Sequence, residues 1–193
     1  RQNPDMLDEL TDMQGELARC KSIVTGILMS AGEARGEGAE RSTLQAFLEQ
    51  VVTQWRGTRE LGQFEFELKL KTDLPMAADT TLRQMICNVL DNAQEASPAW
   101  VKVSAQSDDD WLTLQISDRG AGFAPEVLRH ISKPYQSTKG RQGGGLGLFL
   151  VFNVARTLGG SVRAENCPDG GAVVTLRLPL RAITLEDNSG HGS

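Results

Sequence analysis

The chain has 193 residues, 39% of them hydrophobic, enough for one domain with a sizeable core and an appendage, which excludes disorder, collagen and a disulfide-stapled miniprotein. A formal net charge of −5 gives no general basic footprint, so nucleic acid and anionic membrane surfaces are poor bulk partners. No run of about 20 apolar residues is present to cross a bilayer, no apolar signal core follows Arg1, and Cys20, Cys87 and Cys167 are far apart and without metal-ligand spacing, which fits a reducing compartment.

From Asp5 to about Ser30 the apolar positions Met6, Leu10, Met13, Leu17, Cys20, Val24 and Ile27 alternate in steps of four and three, the seam of a helix that packs along another helix. An amphipathic helix packed on its own domain has the same signature. The Gly-rich, charged stretch 32–41 reads as a linker after a helical segment 1–31, and a domain is expected over 42–183. It opens with Ser42 or Thr43 capping a helix whose face is Leu44, Phe47, Leu48, Val51 and Val52. Phe64, Phe66, Leu68 and Leu70 alternate with polar residues as a strand. A long helix is expected from Asp79-Thr80-Thr81 until Ser97-Pro98 stops it. Trp100 to Gln106 and Trp111 to Ser117 form a hairpin around the acidic turn 107–110. A short helix near Pro125 to Ile131, a buried helix from Leu146 to Leu158, strands near Ser161 to Asn166 and Ala172 to Leu178, and a disordered polar tail over 184–193 complete the expectation.

Three constellations carry chemistry. Asn88 and Asn92 are four apart on the long helix, so both amides project from one face, with Leu82, Met85 and Val89 expected on the opposite, buried one. Two amide oxygens can complete the shell of a magnesium ion whose other ligands are phosphate oxygens and water. Solvated or cap-like amides are the alternative. Asp118-Arg119-Gly120-Ala121-Gly122 follows a strand directly; its carboxylate can accept from an exocyclic amine, and Gly120 and Gly122 let the backbone approach a flat ring. A tight turn closed by the Asp118 side chain is the other reading. Gly143-Gly144-Gly145-Leu146-Gly147-Leu148 leads into a helix, and its free amides suit a polyphosphate. No Gly-Lys-Ser/Thr follows, which excludes a P-loop, and Leu148 stands where a dinucleotide fingerprint has its last glycine. Lys133, Lys139 and Arg141, between the second and third constellations, are cations able to close over a terminal phosphate.

The order of these motifs resembles that of sensor histidine kinases. Asn88 to Ala93 resembles their N box, Asp118 to Gly122 the G1 box, Pro134 to Lys139 the F box, Gly143 to Leu148 the G2 box, and Asp169-Gly170-Gly171-Ala172 the last glycine-rich box, with Ala172 where Thr or Ser is frequent. The resemblance implies an α+β fold, the two-layer Bergerat sandwich shared with Hsp90, MutL and type II topoisomerases, with ATP on the helix side under a lid. It implies that Asn92, with Asn88 beside it, binds Mg2+, that Asp118 reads the adenine amine, and that Gly120 and Gly122 shape the base pocket. Tyr135, Lys139 and Arg141 belong to the lid, where the two cations meet the phosphates, and Gly143, Gly145, Leu146, Gly147 and Leu148 form the hinge and phosphate cradle. Asn88, Asn92 and Lys139 are the implied catalytic set.

Two departures bear on mechanism. Related ATPases carry a glutamate four residues before the metal-binding asparagine; here Asn88 stands there and cannot act as a base, so phosphoryl transfer to a side chain is favoured over water attack. Glu95 stands where many sensor kinases place a lysine. The resemblance further implies a phosphoacceptor histidine on a preceding helix, relay to a response regulator, a homodimer, and a cytoplasmic location with a parent anchored in the inner membrane. The only histidines, His130 and His191, lie outside the N-terminal helix, so the acceptor is expected on a segment this chain lacks. Glu16 to Ile23 and Tyr135 to Lys139 are most similar to the RegB/PrrB redox-responding group, which implies a redox role for Cys20; as a seam residue Cys20 is equally suited to inert packing. A nucleotide-sensing regulatory module, an ATPase and a serine kinase are the alternative functions.

Overall fold

The computed structural model describes residues 41–59, 62–130 and 146–185. The segment expected as an N-terminal helix, with Cys20, the residues Tyr135, Lys139 and Arg141 expected in a lid, the glycines Gly143 and Gly145, and His191 lie outside the described residues.

Strand β1 (Arg41–Thr43) leads into helix α1 (Leu44–Gly57), whose N-cap is Thr43: its hydroxyl accepts the Ala46 N–H at 3.3 Å. Leu44, Phe47, Leu48, Val51, Val52 and Trp55 recur at steps of three and four, and all six are buried. Strands β2 (Gln63–Lys69) and β3 (Pro75–Ala77) precede helix α2 (Thr80–Ala96). The Asp79 carboxylate caps α2 by accepting from Thr81 N and Leu82 N, and Pro98 bars its continuation past Ser97. Strands β4 (Trp100–Ser107) and β5 (Trp111–Asp118) form the expected hairpin, closed by Asp108, which accepts from Asp110 N and Trp111 N. Helices α3 (Pro125–His130) and α4 (Leu146–Thr157), strands β6 (Ser161–Asn166) and β7 (Ala172–Pro179), and helix α5 (Leu180–Ile183) complete the order.

Five strands form one mixed sheet in the order β2-β4-β5-β7-β6, parallel between β2 and β4 and antiparallel elsewhere. One face is apolar: Val101, Val103 and Ala105 of β4, Leu112, Leu114 and Ile116 of β5, and Val174, Leu176 and Leu178 of β7 all share one core with α1, α2 and α4. Each fully buried Leu, Ile or Val there stabilises the fold by roughly 1.5–3 kcal/mol. The result is a two-layer α+β sandwich. Among the described residues, no helix is long and apolar enough to cross a membrane.

Two boundaries differ from expectation. Arg41, placed in the linker, pairs with Ala77 as β1 joins β3 in a separate two-stranded sheet. Thr184 and Leu185, expected in the tail, are held instead, because Thr184 N bonds the Leu180 carbonyl and Leu185 N bonds the Pro75 carbonyl at 2.8 Å.

Candidate nucleotide-binding site

The inward series of β5, Leu112, Leu114 and Ile116, continues by the period of two to Asp118 at the strand end. The same alternation that builds the core therefore delivers a carboxylate to the helix side, where Asp118 is 7% exposed and is the only charged side chain buried among the described residues. Its Oδ1 accepts the Gly120 N–H at 2.8 Å, and the Ala172 backbone N–H also bonds the carboxylate. Burial pushes the Asp118 carboxyl above its ordinary value, and the two backbone donors pull it partly back. The tight-turn reading of Asp118 and the recognition reading are thus compatible, since a carboxylate has about four acceptor positions.

Asp118 lines a cavity of about 40 Å3 together with Asn92, Gly122, Phe123, Val89, Ala93, Ala96, Ile116, Ala172 and Val174. Asn92 enters from α2 on the opposite layer, and its Nδ2 is buried without a hydrogen-bond partner among the described residues. A position on Gly147 corresponding to Cβ lies 3.6 Å from that nitrogen, so the first turn of α4 runs directly past the Asn92 amide. Leu148 packs half-buried against the core. Asn88, one turn earlier, does not line the cavity; its Oδ1 accepts from Gln84 Nε2 at 2.9 Å. The expected position of Val89 needs correction. It lies not opposite the two asparagines but beside Asn92 in the cavity wall, because on a helix it stands only about 60° from Asn92.

Glycines shape the wall on the sheet side. Gly120 backs onto the Ala96 carbonyl at the end of α2, closely enough to exclude any side chain. Gly122 has φ of +75°, and a Cβ there would stand 2.8 Å from Asn166 Oδ1. Gly171, in the β6–β7 turn with φ of +84°, lies against the Asp118 carbonyl. Four sequence-assigned residues, Asn92, Asp118, Gly120 and Gly122, are therefore brought to one place, with Gly147 beside them. Phe123, which lines the cavity, Asn166, which bonds Phe123, and Gln84, which bonds Asn88, escaped the sequence reading.

The donor set for a metal consists of neutral amides. Among the described residues there is no cluster of three or more His, Cys, Asp or Glu side chains. The orphaned Asn92 amide fits an ion that brings its own phosphate and water ligands, with Oδ1 and Nδ2 exchangeable by a flip of the amide, and does not fit a cage built by protein alone.

Comparison with known proteins agrees with this geometry. Residues 77–182 match the family described as histidine kinase-, DNA gyrase B-, and HSP90-like ATPase. The C4-dicarboxylate transport sensor protein DctB of Pseudomonas aeruginosa is 33% identical over 181 residues, 89% of this chain and 29% of its own. Sensor protein CreC of Escherichia coli is 31% identical over 184 residues, 91% of this chain and 39% of its own, so the chain spans roughly a third of these relatives. The solved structure of the mycobacterial sensor histidine kinase MprB superposes with a TM-score of 0.56 at 25% identity, covering 72% of this chain and 97% of that one. The matched segment takes in Asn92, Asp118, Gly122 and Gly147, and the chain belongs to the histidine kinase-, DNA gyrase B- and HSP90-like ATPase family.

Proposed function

We propose that the chain is the ATP-binding catalytic module of a two-component sensor histidine kinase, which transfers the ATP γ-phosphate to a histidine outside this chain for relay to a response regulator aspartate. The observation that carries the reading is the convergence of Asn92 and Asp118 from opposite layers on one cavity at the sheet end. Asp118 accepts from the exocyclic amine of adenine, while the apolar walls Val89, Ile116 and Val174 cover the ring faces. The ribose and phosphates extend past Gly147, where backbone N–H groups at the start of α4 favour anions. Lys139 and Arg141 are assigned to the terminal phosphates on the sequence pattern. Mg2+ is held at Asn92, with Asn88 beside it, and supplies charge neutralisation to the phosphates when bound.

No base stands four residues before Asn92. Asn88 is an amide whose oxygen is engaged by Gln84, which supports transfer by positioning and electrostatics rather than activation of water. The finer assignment to the RegB/PrrB group, with Cys20 as a redox switch in a dimer of a membrane-anchored parent, rests on the sequence around Cys20 and in the lid.

The test mixes the purified chain with γ-labelled ATP, magnesium and a protein bearing the acceptor helix. Label on histidine is expected; steady phosphate release with unlabelled protein would make the chain an ATPase, and binding without transfer a regulatory module. Asn92→Ala should abolish magnesium-dependent ATP binding, and unchanged affinity would sink the metal assignment.

A further inference from the structure

Asn166 belongs to none of the motifs discussed so far. It is the last residue of β6, and its side chain makes a two-point bond with Phe123 across 43 positions: Oδ1 accepts the Phe123 N–H at 2.7 Å, and Nδ2 donates to the Phe123 carbonyl at 2.9 Å. A carboxamide is the side-chain group that answers both backbone groups of one residue at once. Its oxygen also lies 2.8 Å from where a Gly122 Cβ would stand, so it rests against the backbone of both wall residues. Asn166 is itself anchored, because it pairs in register with Ala172, whose N–H bonds the Asp118 carboxylate. One hairpin end therefore holds the carboxylate through Ala172 and the facing wall through Asn166.

The size of the cavity gives this clamp a task. At about 40 Å3 the cavity is narrow, so the separation of its walls decides what can enter. The β5 and β7 walls are fixed by their ladder, and the α2 wall by its core residues. Gly122 and Phe123 sit in the loop between β5 and α3, outside any ladder.

We propose that Asn166 is a positioning residue for nucleobase specificity, setting the spacing between the Gly122–Phe123 wall and the Asp118 carboxylate so that a purine with an exocyclic amine facing Asp118 is accepted and one with an oxo group there is rejected. The proposal rests on reading the cavity as the base pocket.

The experiment titrates the full chain and its Asn166→Ala and Asn166→Asp variants with ATP, GTP and inorganic tripolyphosphate in the presence of magnesium. Asn166→Ala should weaken ATP about ten-fold, as expected for losing two exposed hydrogen bonds, leave tripolyphosphate unchanged, and cut the ATP:GTP preference at least five-fold. Asn166→Asp keeps the acceptor and loses the donor, so it should fall between, and it carries the same ratio test if the alanine variant does not fold. An unchanged ATP:GTP ratio, or parallel loss of ATP and tripolyphosphate, would overturn the proposal. Wild-type chain that binds tripolyphosphate but shows no preference for ATP over it would overturn the base-pocket reading, and the Asn166 role with it.

Discussion

At the scale of single residues, burying Asp118 costs the fold stability at neutral pH. Ionised Asp118 is buried, and its raised carboxyl means that folding favours the protonated form. The associated stability is fully present below the unfolded value near 3.8 and is lost as pH rises through the higher folded value. Asp118→Asn removes the charge while keeping an oxygen for the Gly120 N–H. Its melting temperature should exceed that of wild type at pH 7, with the gap closing toward pH 3.8; a wild-type melt above the variant throughout would contradict the assignment. Loss of a hydrogen bond to a charged acceptor, about 1.5–3 kcal/mol, should weaken ATP binding by roughly 10- to 100-fold in the same variant. Cys87 contrasts with Asp118. Burial, reinforced by the nearby Asp91 charge, raises its thiol above the usual range, so it should resist alkylation at neutral pH in the folded chain and react promptly once unfolded.

Between elements, two contacts fix the geometry that the residues need. Asp91 lies beside Asn92 in sequence, yet its carboxylate turns to α1: Trp55 Nε1 donates to Oδ1 at 2.8 Å, and Arg59 pairs with the same oxygen while stacking 4.9 Å from the Trp55 ring. This sets the rotation of α2 against α1, and so which side chains of α2 face the cavity. Trp55→Phe should cost about 1–2 kcal/mol in denaturant melts, and the cost should largely vanish in an Asp91→Ala background, which removes the acceptor, if the indole acts through that carboxylate. Gly171 does the equivalent for the sheet. With φ of +84° and the Asp118 carbonyl against it, Gly171→Ala should lose about 2–4 kcal/mol, whereas Ala at Gly57, which has open space around it, should cost nothing of that size.

For the molecule as a whole, legibility in the sequence followed the length of the signal. Helices of 14 and 17 residues carry several turns of period and a capping side chain, so α2 was readable to both ends and α1 from its cap as far as Val52. Strands β1 and β3 have three residues each, shorter than any period can establish, although Met76 at the centre of β3 is fully buried. The candidate site divides in the same way. Asp118, Gly120 and Gly122 stand together in the chain, and Asn92 sits on a long helix. Asn166 meets Phe123 only because the sheet places β6 at the edge beside β7, and no local pattern announces such a meeting. The error over Val89 came from reading burial as the opposite face, when a step of three residues puts Val89 on the Asn92 side of the helix.

The small strand β3 ties the two ends of the domain together. Arg41 and Thr43 pair with Ala77 and Pro75, and Leu185 bonds the Pro75 carbonyl, so the points where the chain enters and leaves the sandwich sit side by side. The domain is therefore close to a closed ring of chain. A circular permutant that joins Leu185 to Arg41 through a short Gly-Ser bridge, reopened in the exposed turn at Asp109, should fold and keep wild-type nucleotide affinity within a few-fold; an insoluble or non-binding permutant would show that chain order matters here. Both ends of the domain thus rest on one three-residue strand, so a substitution that unseats Met76 should loosen the entry and the exit of the chain together.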